Sequence, residues 1–139
     1  MALLGMRRGT SWNGVRLMIK LVLKPDVYPC SFIIWGGSKD YGGFVDAMVK
    51  EGASVKEIEE QVGNLKTCDN TAGFRLDLGI VQGIFVKEAL KWSTVDTYAH
   101  ESYHAVVGAV EYLGLEGQEA GAYLMDYLIR EITKSKTKY

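Results

Sequence analysis

The chain reads as an α+β domain: a small mixed or antiparallel sheet packed on helices, ending in two long helices. Three observations predict this. Apolar residues recur at every second position near the start, a turn-rich stretch with another strand signal follows the middle of the chain, and everything from Ser93 onward is spaced for helix. At 139 residues, 47% hydrophobic and 24% charged, the sequence suits one folded domain and is too apolar for intrinsic disorder.

Residues 1–14 carry Gly5, Arg7, Arg8 and Gly9 without periodicity and are expected to form a flexible N-terminal arm, leaving residues 15–139 as the single domain. Between 15 and 24, Val15, Leu17, Ile19, Leu21 and Leu23 alternate with Arg16, Lys20 and Lys24, the pattern of a half-buried strand. Pro25 and Pro29 bracket a turn, and residues 31–35 (SFIIW) make a second strand stopped by Gly36 and Gly37, so an antiparallel pair is expected. Phe44, Val45, Met48 and Val49 have helical spacing. A second short helix starts after Ser54, where Ser54 and Glu57 have the form of a capping box. Residues 74–86 read as strand or hairpin interrupted by Gly79 and Gly83, with Ile84, Phe85 and Val86 the strongest part. Ser93 or Thr94 opens a long helix ending near Gly114, and Gly117 precedes another that reaches about Thr133.

Sixteen basic side chains against seventeen acidic ones leave a net charge of −1, without the positive footprint of a nucleic-acid-binding protein. The acidic excess falls after residue 50. No apolar run approaches the roughly 20 residues that span a bilayer, and residues 2–6 are too short for a signal-peptide core, so no membrane partner and a cytoplasmic location are expected. Cys30 and Cys68 are read as free and buried.

The only two histidines stand four apart, in His100-Glu101-Ser102-Tyr103-His104, an H-E-x-x-H motif. On a helix, residues four apart lie one turn above each other on the same face, so both imidazoles can offer a nitrogen to one zinc ion. Glu101 is turned about 100° from His100, where its carboxylate can take a proton from water without ligating the metal. Ala99, Tyr103, Val106, Val110 and Leu113 would form the buried stripe of this helix, with His100, His104, Val107 and Glu111 along an adjacent one.

Zinc needs a third protein ligand, and without a third histidine it must be a carboxylate or thiolate. The metzincin continuation fails, because Val107 and Val110 stand where its glycine and histidine belong. Glu111, Glu116, Glu119, Asp126, Cys30 and Cys68 are the candidates. Glu111 shares the histidine stripe but sits about 10 Å further along the axis, too far to reach the same ion. A simple antiparallel helix hairpin would bring Asp126 level with His104, whereas an oblique approach of the last helix, allowed by Gly108, would favour Glu119.

These features resemble the zincin-like metallopeptidases with a glutamate third ligand, the gluzincin type, and in particular small zincins of phages and their bacterial relatives. Strands precede the helix HESYHAVVGAVEYLGL, a break follows near Gly114, and a second helix starts EAGAYLMDYL. The match is dense in motifs over residues 94–131 and only topological over 15–90. The resemblance implies a zincin-like fold, Zn2+ held by His100, His104 and Glu119, and Glu101 as general base. A peptide or protein is the implied substrate, in a bacterial host cytoplasm or a phage-associated setting. The stretch from His104 to Glu119 is shorter than in larger members of the type. By the same resemblance, Ile84, Phe85 and Val86 are expected to form an edge strand that binds extended peptide. Tyr123, one turn after Glu119, is read as a packing residue. The alternative is a catalytically inactive, zincin-like binding or virion-associated protein whose metal is structural or absent.

Overall fold

The structure, a computed structural model, describes residues 19–36, 40–65, 73–86 and 94–136. The expected N-terminal arm and Cys68 lie outside the described residues.

The elements follow the order β1 (Ile19–Leu23), β2 (Ser31–Gly36), α1 (Tyr41–Lys50), α2 (Val55–Leu65), β3 (Gly73–Leu78), β4 (Val81–Val86), α3 (Thr94–Leu113) and α4 (Glu119–Lys136). They form a four-stranded sheet of order β1-β2-β4-β3. As the alternation predicted, β1 and β2 pair antiparallel, from Ile19 opposite Gly36 to Leu23 opposite Phe32. β4 then lies parallel to β2, with Ser31 opposite Val81, and antiparallel to β3. The sheet is therefore mixed.

The first two helices begin at a side chain that caps them. The Asp40 carboxylate accepts the Gly43 N–H at 2.9 Å, which starts α1 three residues before the Phe44 that opened the sequence pattern. Ser54 Oγ accepts the Glu57 N–H at 3.4 Å, half of the expected capping box. At the far end of α3, Gly114 takes φ 67°, with Gly114 N–H donating to Glu111 O and Leu115 N–H to Val110 O. This is the paired closure that a left-handed residue permits.

Both faces of the sheet are covered. Phe44, Met48 and Ile58 of α1 and α2 pack on Ile33, Leu76, Val81 and Phe85. On the other face, Tyr98, Ala105 and Ala109 of α3 and Leu124, Leu128 and Ile132 of α4 pack on Ile19, Phe32, Ile34, Ile84 and Val86. Covering both faces makes all six residues of β4 buried, which is why its sequence lacks clean alternation. Gly79 is the first residue of the two-residue β3–β4 turn, with φ 77°. Gly83 does not interrupt β4: it makes room for Phe44 and Met48, whose atoms lie 2.8 and 2.5 Å from where a Cβ would be.

α3 buries a different stripe from the one predicted. Tyr98, Ser102, Ala105, Val106 and Ala109 are buried, whereas Tyr103 is 58% exposed. The helix has two neighbours, the sheet and α4, so its apolar face is wider than a single stripe. Ser102, Ala105 and Ala109 take the sheet side beside Tyr98, and the large Tyr103 ring is left outside.

Candidate functional site

The site is built on α3, which the sheet holds from beneath. The Tyr98 ring lies over Gly36 at the end of β2, in space that any side chain there would occupy. With Tyr98, Ser102 and Ala105 turned inward, helical geometry turns His100 and His104 to solvent, and both are exposed. Their ring centroids are 4.8 Å apart with planes at 75°. Tyr103 stands edge-on to His104, centroids 6.1 Å apart. Glu101 is half-buried, between the solvent side of α3 and its sheet side. The paired imidazoles thus lie where the motif spacing placed them.

A second feature was not anticipated from the sequence. Arg75 on β3 donates from Nη1 to the backbone carbonyl of His104 at 3.2 Å and to Asp77 Oδ2 at 3.1 Å. Asp77 Oδ1 accepts from Gln82 Nε2 at 2.7 Å and from the Gly79 N–H at 3.2 Å. Gln82 is fully buried. Arg75 and Asp77 are two apart on one strand and Gln82 is opposite Asp77 on the next, so all three side chains share the sheet face under α3. The period-2 spacing of Arg75 and Asp77 is visible in the sequence, but their meeting with His104 is set by strand pairing and helix docking.

Gly108 belongs to this contact and not to the approach of α4. A Cβ there would lie 2.8 Å from Arg75 Nη1 and 3.0 Å from both Asp77 Oδ2 and Gln82 Oε1. α4 comes close elsewhere, with the Cβ position of Gly121 at 4.0 Å from Val106. Val106 is two residues after His104, about 200° around the helix. The last helix therefore meets α3 through Val106, with Tyr103 and Val107, the neighbours of the His104 stripe, lining the groove between the two helices.

That placement governs the remaining candidates. Glu119 is the exposed first residue of α4, where a carboxylate also complements the helix dipole. Asp126 is exposed and paired with Arg130 at 2.8 Å. Glu111 borders the groove between α3 and α4, and Glu116 is exposed in their connection. Cys30 is buried in the core, and burial pushes its thiol up to about 11, away from the thiolate that metals bind. Among the described residues, His100 and His104 are brought together, but no group of three or more His, Cys, Asp and Glu is placed to hold a metal ion.

The expected substrate rail is corrected. Ile84, Phe85 and Val86 are interior, paired with β2 on one side and β3 on the other, so they cannot add a strand. β3 forms the sheet edge beside the site. At Asp77 that edge is already engaged: the Gln61 side chain accepts the Asp77 N–H at 2.9 Å and donates to its carbonyl at 2.6 Å. Tyr123, expected to pack, touches other rings, stacked on Tyr127 and edge-on to Tyr28, but is 39% exposed and outside the core. Between α3 and α4 runs an open groove of about 370 Å³, lined mainly by Tyr103, Val107, Val110, Ala122 and Met125.

No protein-family model, curated protein or solved structure matches the chain. The fold and site define a class by their own geometry: an α+β domain with a mixed four-stranded sheet between helical layers, and an exposed imidazole pair on the helix over its edge. No helix among the described residues is long and apolar enough to cross a membrane.

Proposed function

We propose that the chain is a zinc-dependent hydrolase of zincin-like type that cleaves peptide bonds. The observation that carries this reading is the exposed imidazole pair one helical turn apart, centroids 4.8 Å, on a helix fixed from behind by the sheet. The pair suits two places in a zinc coordination shell. The zincin resemblance assigns the third ligand to Glu119, the exposed first residue of α4.

Bound zinc would supply a Lewis acid that polarises the scissile carbonyl and acidifies water. His100 and His104 would hold it through ring nitrogens. Glu101, adjacent in sequence but directed elsewhere, would accept a proton from the attacking water on its carboxylate and deliver it to the leaving amine. Its half-burial limits competing solvent contacts without removing access. The test is Glu101→Gln: turnover of a peptide library is lost while zinc content stays equal to wild type. Wild-type cleavage by that variant would reject the mechanism. Replacing Glu119 and Asp126 singly by their amides tests the third ligand, since only the true ligand weakens zinc binding.

The apolar groove favours a second reading, a binding protein on the same scaffold. Stoichiometric zinc after purification without added metal, together with no cleavage of any library peptide, would support it.

A further inference from the structure

We infer that the groove between α3 and α4 seats a cationic amphipathic helix of a partner protein; the inference rests on the binding reading above, gives it a partner class, and needs no metal. The groove walls are two matched stripes, Tyr103, Val107 and Val110 on α3 and Gln118, Ala122 and Met125 on and just before α4, each at i, i+4 and i+7. At a rise of 1.5 Å per residue each stripe is about 10 Å long, two turns of a helix laid alongside. Tyr103 is 58% exposed and Ala122 is exposed, so both walls are open to a partner. An extended peptide would gain little there. The main-chain groups of both walls are engaged within their own helices, and no strand residue lines the groove among the described residues. A helix brings its main chain already bonded and needs to offer only an apolar stripe.

Charge selects the partner. Between Lys91 and Arg130 the sequence holds no Lys or Arg, but Asp96, Glu101, Glu111, Glu116, Glu119 and Asp126, in a chain whose net charge is only −1. Glu111 borders the groove, and Glu116 and Glu119 are exposed where the chain turns into α4. Arg75, which reaches α3 from the sheet, is engaged by Asp77 and the His104 carbonyl, and Arg130 is engaged by Asp126. An apolar floor beneath an acidic rim suits leucine-like anchors flanked by Lys or Arg. A second copy of the chain fits less well, because the exposed side of α2 carries Glu57, Glu59 and Glu60 and would bring like charge to the rim.

The probe is a fluorescein-labelled helical peptide with leucines at i, i+4 and i+7 and lysines on its other face, titrated with the full chain and read by anisotropy. One control shuffles the same leucines and lysines so that no apolar stripe forms; the other replaces every lysine by glutamate. The lysine peptide should bind tightest, and more weakly as salt rises. It should also shift the ring signals of His104, which Tyr103 meets edge-on. Val107→Glu and Ala122→Glu each add a negative charge while breaking the apolar wall, so each should weaken binding about tenfold. Ala122 is an exposed helical position, where glutamate is tolerated. Charge attraction alone would strengthen binding in both variants; that result, or equal binding of the shuffled peptide, would overturn the groove as the seat. A glutamate peptide that binds as well as the lysine one would overturn the cationic partner and leave the binding reading standing. Failure of both helical peptides also overturns the inference: a dimer that Ala122→Glu dissociates would give the groove to a second copy, whereas a monomer would remove the binding reading too.

Discussion

Replacing Gly36 by alanine tests how the sheet sets the orientation of the imidazole-bearing helix. The new Cβ would fall against Tyr98 Oη, 2.5 Å from Cζ and 3.0 Å from Cε1, where ordinary contact is 3.4–4 Å. The ring must recede by roughly 2 Å to clear its Oη, and a close-packed interior yields little. Tyr98 is 1% exposed and packed in the α3 and α4 side of the core. Overpacking of this kind costs about 1–3 kcal/mol, which for a domain of this size lowers the melting temperature by roughly 3–12 °C. Urea titration should show a lower midpoint with an unchanged slope. The decisive comparison is the same substitution in a Tyr98→Ala background. There the methyl group enters vacated space, and the penalty should vanish or become a gain of about 0.5 kcal/mol from replacing a strand glycine. Equal penalties in both backgrounds, meaning no coupling between the two positions, would refute the claim that Tyr98 docks α3 on Gly36.

Further outcomes follow from the same packing and chemistry. Leu124→Ala empties a fully buried position between α4 and the sheet and should cost about 2–5 kcal/mol by denaturant titration, more than Ile129→Ala on the exposed side of the same helix. Gln61→Ala removes both hydrogen bonds to the Asp77 backbone and should cost about 1–3 kcal/mol; light scattering should show more self-association as the edge opens. Because the folded thiol of Cys30 is raised to about 11 from 9.0, the unfolded chain ionises first, and stability should fall as pH rises from about 9 to 11. Cys30→Ala should flatten that decline; tyrosines 41 and 127, raised mainly by burial, leave a residual slope of the same sign. His100→Ala and His104→Ala should each abolish any zinc-dependent rise in melting temperature, as read by thermal melts with and without chelator.

The motif could be read early because its geometry is local. Four residues make one helical turn whatever the helix packs on, so the 4.8 Å imidazole pair needed only the prediction that residues 94–113 are helical. The hairpin β1–β2, the caps at Ser54 and Gly114, and the long final helices were legible for the same reason: alternation, cap chemistry and turn residues act over a few positions. Arg75 was not legible as a partner of His104, since nothing within a few residues of either one encodes the contact.

By itself, then, the sequence determined the elements, their approximate limits and the helical face shared by His100 and His104. Tertiary structure decided that β4 is interior and β3 the edge, which moved the exposed strand away from Ile84, Phe85 and Val86. It also decided that α3 buries Tyr98, Ser102 and Ala105 while exposing Tyr103, and that Gly108 serves Arg75 and not α4. The physical reason is that strand order and helix rotation are chosen by total burial over both faces of the sheet, a quantity to which every element contributes and which no short window of sequence contains.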